Sequence, residues 1–416
     1  MNYGVLGKSL PHTYSPRIHK AFADYEYGIL ERTESEVRDI FEGKEDLKGF
    51  NVTIPYKKLA LSYCDEVSEA AHDAGAVNTV VKTEEGYFKG YNTDVYGFTY
   101  MLKKAGINVL TKSCLILGTG GASAACSYAL KKMGAIVEFC SRTGDINYEN
   151  VYTVLPNVEV IINTTPVGMY PDVDAQPIDI SKFKSLCAVA DIIYNPSGTK
   201  LLTEARRLGL KTAGGLTMLV AQAHKASRIF KGEISDYDNY DVPQIDEVTA
   251  ELENEMRNIT LVGMPGSGKT TLGRKIASVL GREFVDLDIL FEQEFGLKPS
   301  TVISEKGEDE FRRMETLLAD KMLPKSGLVI STGGGIVTRE ENHFLLKCNS
   351  RVIYIKRPLS TLLKQDTKNR PISKNNSIED LLNKRAPLYE KVSDIIWDLP
   401  DFSEEDAIVD QLIKEL

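Results

Sequence analysis

Short apolar runs alternate almost throughout the chain with stretches whose apolar residues recur at helical spacing. Strand alternating with helix is the pattern of α/β domains on parallel sheets, and that fold class is predicted here. Two segments show it most clearly, SCLILGTGGASAACSYALKKMG (113–134) and NITLVGMPGSGKTTLGRKIASVLG (258–281). In each, an apolar strand turns through a glycine cluster into a helix that closes at a glycine. No internal repeat or low-complexity tract breaks the alternation. Between the two units lies DVPQIDEVTAELENEMRN (241–258), whose charged helical pattern begins after Pro243. It reads either as a linker helix or as the last helix of the first domain. Because the strand ITLVG follows almost at once, the second reading is preferred and a boundary is set near Met256.

At 416 residues the chain is long for one core, which predicts two or three domains. A formal net charge of −9 argues against a nucleic-acid partner, which would select a basic face. The six cysteines form no CxxC pair and stand near no histidine cluster, as expected of reduced thiols without structural zinc. The five histidines, His12, His19, His72, His224 and His343, are scattered without metal spacing. MNYGVLGKSL lacks the basic and apolar regions of a signal peptide. No apolar run approaches the ~20 residues of a membrane helix. A cytoplasmic protein with neither membrane nor nucleic-acid partners is therefore expected, its oligomeric state left open.

The spacing Gly263-x4-Gly268-Lys269-Thr270, between a strand and a helix, is a P-loop. Its glycines let several N–H groups, among them those near Gly266, Ser267, Gly268 and Thr271, face one phosphate, and the helix N-terminus adds a favourable dipole. Lys269 is expected on the β- and γ-phosphates of ATP, and the Thr270 hydroxyl on Mg2+. In EFVDLDILFE, a strand over 284–289 would turn Asp286 and Asp288 to one face. One carboxylate would hold magnesium, assigned to Asp286, while Asp288 orients or deprotonates a hydroxyl acceptor.

Farther on stand EFRRMET (310–316), VISTGGGIV (329–337), KNRPIS (368–373) and KRAPLYEKV (384–392). Together with the P-loop, their order and wording resemble shikimate kinase from about residue 257 to the end. The resemblance implies that Asp288, Arg312, the turn Gly333, Gly334, Gly335, and Arg385 hold shikimate, with Glu315 steadying an arginine. A guanidinium fork suits a carboxylate because it donates two parallel hydrogen bonds. Arg370 matches the family's lid arginine, which closes on the ATP phosphates. A five-stranded parallel sheet with a mobile lid is implied.

The first glycine loop, Gly118, Gly120, Gly121, Ala122 and Ser123 of GTGGAS, follows a strand and opens a helix, as a dinucleotide site requires. Its sixth position is serine, which makes the motif weak alone. The next strand, AIVEFCSRT, ends at Arg142 and Thr143 without an acidic residue, which favours the 2′-phosphate of NADP over NAD. The following Gly144, Asp145 and Ile146 narrow that preference, since Asp145 facing the pocket would repel a phosphate.

The segments GKSLPHTYSP (7–16), GFNVTIPYKK (49–58), AGAVNTV (74–80), GYNTDVYGF (90–98), NTTPVGMYP (163–171) and GGLTMLVAQA (214–223) resemble shikimate dehydrogenase in their order, over residues 1 to about 255. Hydride addition to a ketone leaves negative charge on oxygen that needs a proton. Lys57, taken as a loop residue, and Asp94 match the family's catalytic pair. Thr13, standing where serine is usual, and Ser15 would bind the substrate carboxylate. Asn51, Thr53, Asn78, Asn92, Tyr194 and Gln222 would serve its other oxygens, as a site reading several hydroxyls requires.

The two resemblances imply a bifunctional enzyme of aromatic amino acid biosynthesis. Its first half would reduce 3-dehydroshikimate to shikimate with NADP(H), and its second would phosphorylate shikimate with ATP and Mg2+. The expected division is a substrate domain over 1–100 to which 219–255 returns, a Rossmann domain over 101–218 and a P-loop kinase over 256–416. Two other readings stay open: a quinate-using, NAD-linked dehydrogenase beside another small-molecule kinase, and a non-catalytic sensor of metabolites.

Overall fold

The structure is a computed structural model, and it describes residues 2–11, 13–234, 238–364, 377–399, 409–411 and 413. The chain separates into two compact units. One comprises Met1–Gly168, Ala175–Tyr194 and Leu201–Glu251; the other comprises Met169–Asp174, Asn195–Lys200 and Leu252–Leu416.

The first unit carries two sheets. Strands β1 (Tyr3–Gly7), β2 (Tyr27–Glu31), β3 (Gly49–Val52), β4 (Glu66–Val67), β5 (Thr79–Lys82) and β6 (Phe88–Tyr91) form a sheet of order β2-β1-β3-β5-β6-β4. The alternation of strand and helix predicts a parallel sheet, but this one is mixed: β5 runs antiparallel to both β3 and β6. The reason is local. β5 and β6 are joined by five residues, Thr83–Tyr87, closed by the bonds Thr83 N to Tyr87 O (2.8 Å) and Gly86 N to Thr83 O (3.0 Å). A connection that short makes a hairpin, since parallel neighbours need a crossover of a dozen residues or more.

The second sheet, β7 (Ser113–Leu117), β8 (Ile136–Cys140), β9 (Val160–Asn163), β10 (Ala188–Asp191) and β11 (Lys211–Gly214), is parallel throughout in the order β11-β10-β9-β7-β8. Strands β9 and β10 are buried at every position, as strands covered by helices on both faces must be. The helices Asp94–Lys104 and Gly215–Phe230 supply Phe98, Met101 and Met218 to one of its cores. They touch at backbone distance, because a Cβ on Gly97 would lie 2.6 Å from the Met218 carbonyl and 2.9 Å from the Gln222 Cβ. Only glycine permits that approach, and it brings Gln222 beside the start of the first helix.

The second unit holds a five-stranded parallel sheet of order β13-β14-β12-β15-β16, built from β12 (Asn258–Val262), β13 (Phe284–Asp286), β14 (Val329–Ser331), β15 (Ser350–Lys356) and β16 (Ile395–Asp398). Cores on its two faces gather around Ile330 and Tyr354 on one side and Leu261 and Ile353 on the other. Strand β13 stops at Asp286, and Asp288 stands in the first turn of the helix Leu287–Phe295. The predicted strand over 284–289 is thus cut short, because Asp286 Oδ1 accepts from the N–H groups of Asp288 (3.0 Å) and Ile289 (3.4 Å) and starts a helix there.

Candidate active sites

In the first unit, Lys57 opens the helix Lys57–Tyr63 rather than lying in a loop, and Asp94 opens the helix Asp94–Lys104. Lys57 Nζ donates to Asp94 Oδ2 at 2.6 Å, with both side chains mostly shielded from water. An ammonium held by a carboxylate can give a proton to a nascent alkoxide and be recharged.

Thr93, the residue before Asp94, joins a set of neutral groups. Asn78 Oδ1 accepts from the Thr93 main-chain N–H at 2.7 Å, and Thr93 Oγ1 lies 3.3 Å from Gln222 Oε1. Gln222 Nε2 donates to Leu219 O at 2.9 Å. Asn92 Nδ2 donates to Ala76 O at 2.9 Å, while its buried Oδ1 has no hydrogen-bond partner among the described residues. Thr53 is half-buried at the end of β3. Thr13 and Ser15 share a hydroxyl contact of 3.2 Å at the start of the helix Ser15–Phe22. Tyr194 meets Tyr14 edge to face at 6.3 Å. Burial raises its phenol above the ordinary value, with Tyr14 adding to the effect. Asn51 is placed differently: it is buried, its Oδ1 takes the Tyr27 hydroxyl at 2.6 Å, and its Nδ2 donates to Thr79 Oγ1 at 2.9 Å. Both ends of that amide are committed inside the protein.

The glycine loop from Gly118 leads from β7 into the helix Gly121–Lys132. A Cβ on Gly120 or Gly121 would meet nothing within 4 Å, so a ligand can approach the backbone there. Ala122 is half-buried in the helix's first turn. Ser123 fits the motif because its buried hydroxyl turns back onto the Gly120 carbonyl. Strand β8 ends at Cys140, two residues short of Arg142. Arg142, Thr143 and Asp145 are all exposed on the loop that follows, which Ser141 N closes onto Ile146 O at 3.1 Å.

In the second unit, Lys269 begins the helix Lys269–Leu280, and its Nζ donates to the carbonyls of Gly263 and Met264, both at 3.0 Å. Gly266 and Gly268 lie in the loop, Ser267 is buried, and Thr271 is exposed on the helix's first turn. Thr270 Oγ1 donates to Asp286 Oδ2 at 2.7 Å and lies 3.4 Å from Ser331 Oγ. Hydroxyl and carboxylate oxygens are hard donors of the kind magnesium takes. Arg312 and Glu315 form a buried pair at 2.7 Å, three residues apart on the helix Glu308–Met322. Burial raises the Glu315 carboxyl above its usual range, against the pull of Arg312. The triple-glycine turn fits against this pair: a Cβ on Gly335 would lie 1.9 Å from Arg312 Nη2, and one on Gly333 would lie 2.5 Å from Glu315 Oε1. Gly334 abuts Pro265 of the P-loop, and its carbonyl accepts from Arg385 Nη1 at 3.3 Å and from the Tyr389 hydroxyl. Asp288 is exposed beside Gly333, so it faces the same turn. Arg370 lies outside the described residues, as does His12.

Three supporting groups are not among the predicted ligands. Thr79 and Thr93 stand inside the quoted segments AGAVNTV and GYNTDVYGF, beside residues singled out as ligands. Arg357 carries no motif; it is buried, and its Nε donates to the P-loop carbonyl of Ser267 at 3.2 Å.

Fold and sites together define a dinucleotide-dependent oxidoreductase followed by a P-loop phosphotransferase. Comparison with known proteins makes this specific. The substrate-binding domain model of shikimate dehydrogenase matches residues 5–80, and the shikimate kinase model matches residues 265–416. A shikimate dehydrogenase (NADP(+)) of Caldicellulosiruptor bescii is 39% identical over 253 residues, which are 54% of this chain and 88% of that relative. Among solved structures, a chorismate mutase/shikimate 5-dehydrogenase fusion protein from Clostridium acetobutylicum aligns with TM-score 0.56 and 33% identity, covering 61% of this chain and 96% of that one. Shikimate 5-dehydrogenase from Thermus thermophilus, in complex with NADP(H) and shikimate, aligns with TM-score 0.53 and 30% identity, covering 60% and 99%. The chain belongs to the shikimate dehydrogenase family and continues into a shikimate kinase domain, so it is a dehydrogenase–kinase fusion.

Proposed function

We propose that residues 1–255 reduce 3-dehydroshikimate to shikimate with NADPH and that residues 256–416 phosphorylate the product with Mg-ATP, giving shikimate 3-phosphate. The observation that carries the reading is the 2.6 Å Lys57–Asp94 pair among neutral amides and hydroxyls. The dinucleotide supplies the hydride. Lys57 stabilises and protonates the resulting oxygen, Asp94 holds the lysine and a neighbouring hydroxyl, and Thr13 and Ser15 hold the carboxylate. Thr53, Asn78, Asn92, Tyr194 and Gln222 serve the remaining oxygens. Arg142 and Thr143 receive the adenosine 2′-phosphate.

In the kinase half, magnesium supplies charge that draws density from the transferred phosphoryl group. Thr270 and Asp286 would hold it, Lys269 and the loop N–H groups orient the phosphates, and Asp288 takes the proton from the acceptor hydroxyl. Arg312, the Gly333–Gly335 turn and Arg385 position the acceptor. Among the described residues no helix is long and apolar enough to cross a membrane. All six cysteines are unpaired, which suits a reducing cytoplasm. Lys57, Asp94, Lys269, Thr270, Asp286 and Asp288 all keep the groups a retired, non-catalytic sensor would be free to lose.

The test is incubation of the whole chain with 3-dehydroshikimate, NADPH and Mg-ATP, followed by mass spectrometry. Shikimate and then its 3-phosphate should accumulate, and substituting NADH should slow the first step. Shikimate without its phosphate would remove the kinase assignment. Neither product from a folded chain that binds both nucleotides would favour the sensor.

A further inference from the structure

A line of hydrogen bonds runs beneath the dehydrogenase site, and main-chain groups fix its polarity at two points. Asn78 Oδ1 faces the Thr93 main-chain N–H at 2.7 Å, and an N–H can only donate, so the facing atom must be the amide oxygen. Asn51 Nδ2 lies 3.3 Å from the Asn78 main-chain carbonyl, which can only accept, so that atom must be the amide nitrogen. The order between these points follows. Tyr27 donates its hydroxyl hydrogen to Asn51 Oδ1 at 2.6 Å. Asn51 Nδ2 donates to Thr79 Oγ1 at 2.9 Å, and the single Thr79 hydrogen goes either to Asn78 Oδ1 at 3.1 Å or to Thr93 Oγ1 at 3.2 Å, which itself lies 3.2 Å from Asn78 Oδ1. Thr79 and Asn78 are buried. Their side-chain oxygens are thereby committed, and the side-chain hydrogen bonds of Asn78 among the described residues all run through Oδ1, which leaves Nδ2 to a ligand.

The origin of the line is well held. His19 stacks flat on the Tyr27 ring, with centroids 3.9 Å apart and planes 9° apart. Loss of water around the Tyr27 phenol, and then the neighbouring Tyr25, raise its pKa well above the ordinary value, so the group remains a donor at working pH.

We propose that Tyr27 and Thr79 are positioning residues for the dehydrogenase reaction: through Asn51 they form a one-way hydrogen-bond chain that locks Asn78 with its Nδ2 offered to the substrate, so that this position reads an oxygen lone pair and rejects a hydrogen-bond donor. The inference rests on the dehydrogenase reading of this unit. Neither residue touches the substrate. With the hydroxyl of Thr79 removed, the Asn51 amide loses its main acceptor and Asn78 keeps only the orienting donors of Thr93. The amide can then turn its oxygen toward the substrate for part of the time. A polar site loses much of its discrimination when its groups are free to reorient.

The experiment is steady-state kinetics of the full chain carrying Thr79→Val, Thr79→Ser or Tyr27→Phe. Loss of one orienting bond should raise KM for 3-dehydroshikimate about tenfold in Thr79→Val and about threefold in Tyr27→Phe. KM for NADPH and both kinase KM values should stay within about twofold, because those groups lie outside the chain of bonds. Thr79→Ser restores the hydroxyl and should return KM to near the wild-type value. An unchanged substrate KM in Thr79→Val overturns the proposal, as does Thr79→Ser behaving like Thr79→Val, which would reduce Thr79 to packing. A parallel rise in KM for NADPH also overturns it. Should Thr79→Val fail to fold, Tyr27→Phe decides alone: unaltered substrate KM there removes the chain. Wild-type protein that does not turn over 3-dehydroshikimate removes the dehydrogenase reading and this proposal together; wild-type turnover with unaffected variants removes the proposal only.

Discussion

Gly335→Ala in the kinase unit tests how closely the triple-glycine turn is fitted to Arg312, the arginine proposed to position the acceptor. The added Cβ would fall 1.9 Å from Arg312 Nη2, 2.2 Å from Cζ and 2.3 Å from Nη1. Ordinary contact is about 3.5 Å, so the guanidinium must retreat by about 1.5 Å. A long side chain at the surface would do so easily. Arg312, however, is buried and hydrogen-bonded at 2.7 Å to the equally buried Glu315, so the retreat breaks that bond. A hydrogen bond between charged groups contributes about 1.5–3 kcal/mol. Taking about 2–3 kcal/mol as the cost, kcat/KM for shikimate should fall about 30- to 150-fold. Chromatographic quantitation of ADP over a shikimate series measures it, with the dehydrogenase reaction of the same preparation as a control for folding. A value of kcat/KM within threefold of wild type would refute the claim that Arg312 is held in place by this fit.

Lys57→Met should lower the dehydrogenase kcat about 10²- to 10⁴-fold, the usual share of a positioned proton donor, with kinase turnover unaltered. NADPH oxidation on 3-dehydroshikimate reads it, and near-normal turnover would remove Lys57 from its role. Thr270→Val, which deletes the hydroxyl bonded to Asp286, should lower kinase kcat at least about tenfold and raise the magnesium concentration needed for half-maximal rate. A magnesium titration checks both. Arg142→Glu should cut the preference for NADPH over NADH about tenfold or more, measured as the ratio of the two kcat/KM values. His19 gives a pH prediction: burial holds its pKa down at about 3, with Asn51 pulling the other way. The unfolded chain takes that proton near pH 6.5. The folded state therefore binds fewer protons, and the stability is full above about 6.5 and falls as pH drops toward 3. Relative to His19→Gln, the wild type should lose about 2 kcal/mol between pH 7 and 5 in urea unfolding of the dehydrogenase unit, and a flat difference would contradict it.

The P-loop was legible because its chemistry is local. One strand, one turn and one helix contain every group, so spacing alone carries it. Arg312 and Glu315 are three apart on one helix, which again makes their pairing a matter of sequence interval. Residues that meet through tertiary structure left weaker traces. Asn51, a polar residue in a strand next to an apolar run, looks like any substrate amide until Tyr27 and Thr79 are seen to occupy both its ends. EFVDLDILFE is apolar enough for either element, so its pattern predicts a strand that includes Asp288; the Asp286 side chain, not the apolar pattern, decides for helix. The antiparallel course of β5 is not legible in the alternation of strand and helix, which says nothing of direction; the five-residue turn to β6 fixes it. Arg357 is invisible in sequence, since a lone arginine before a proline is ordinarily a surface residue, and only the fold brings it to Ser267.

Asp286 has one further implication. Its two oxygens face opposite tasks: Oδ2 takes the Thr270 hydroxyl on the phosphate-gripping side, and Oδ1 starts the helix that carries Asp288. A carboxylate is planar and rigid, so rotating it to suit one neighbour disturbs the other. On the roles proposed for Thr270, Asp286 and Asp288, the donor and acceptor substrates of the kinase would meet at a single pivot, and any tightening of one by the other must be mutual and equal in free energy. Whatever factor bound acceptor contributes to nucleotide affinity, bound nucleotide should contribute to acceptor affinity.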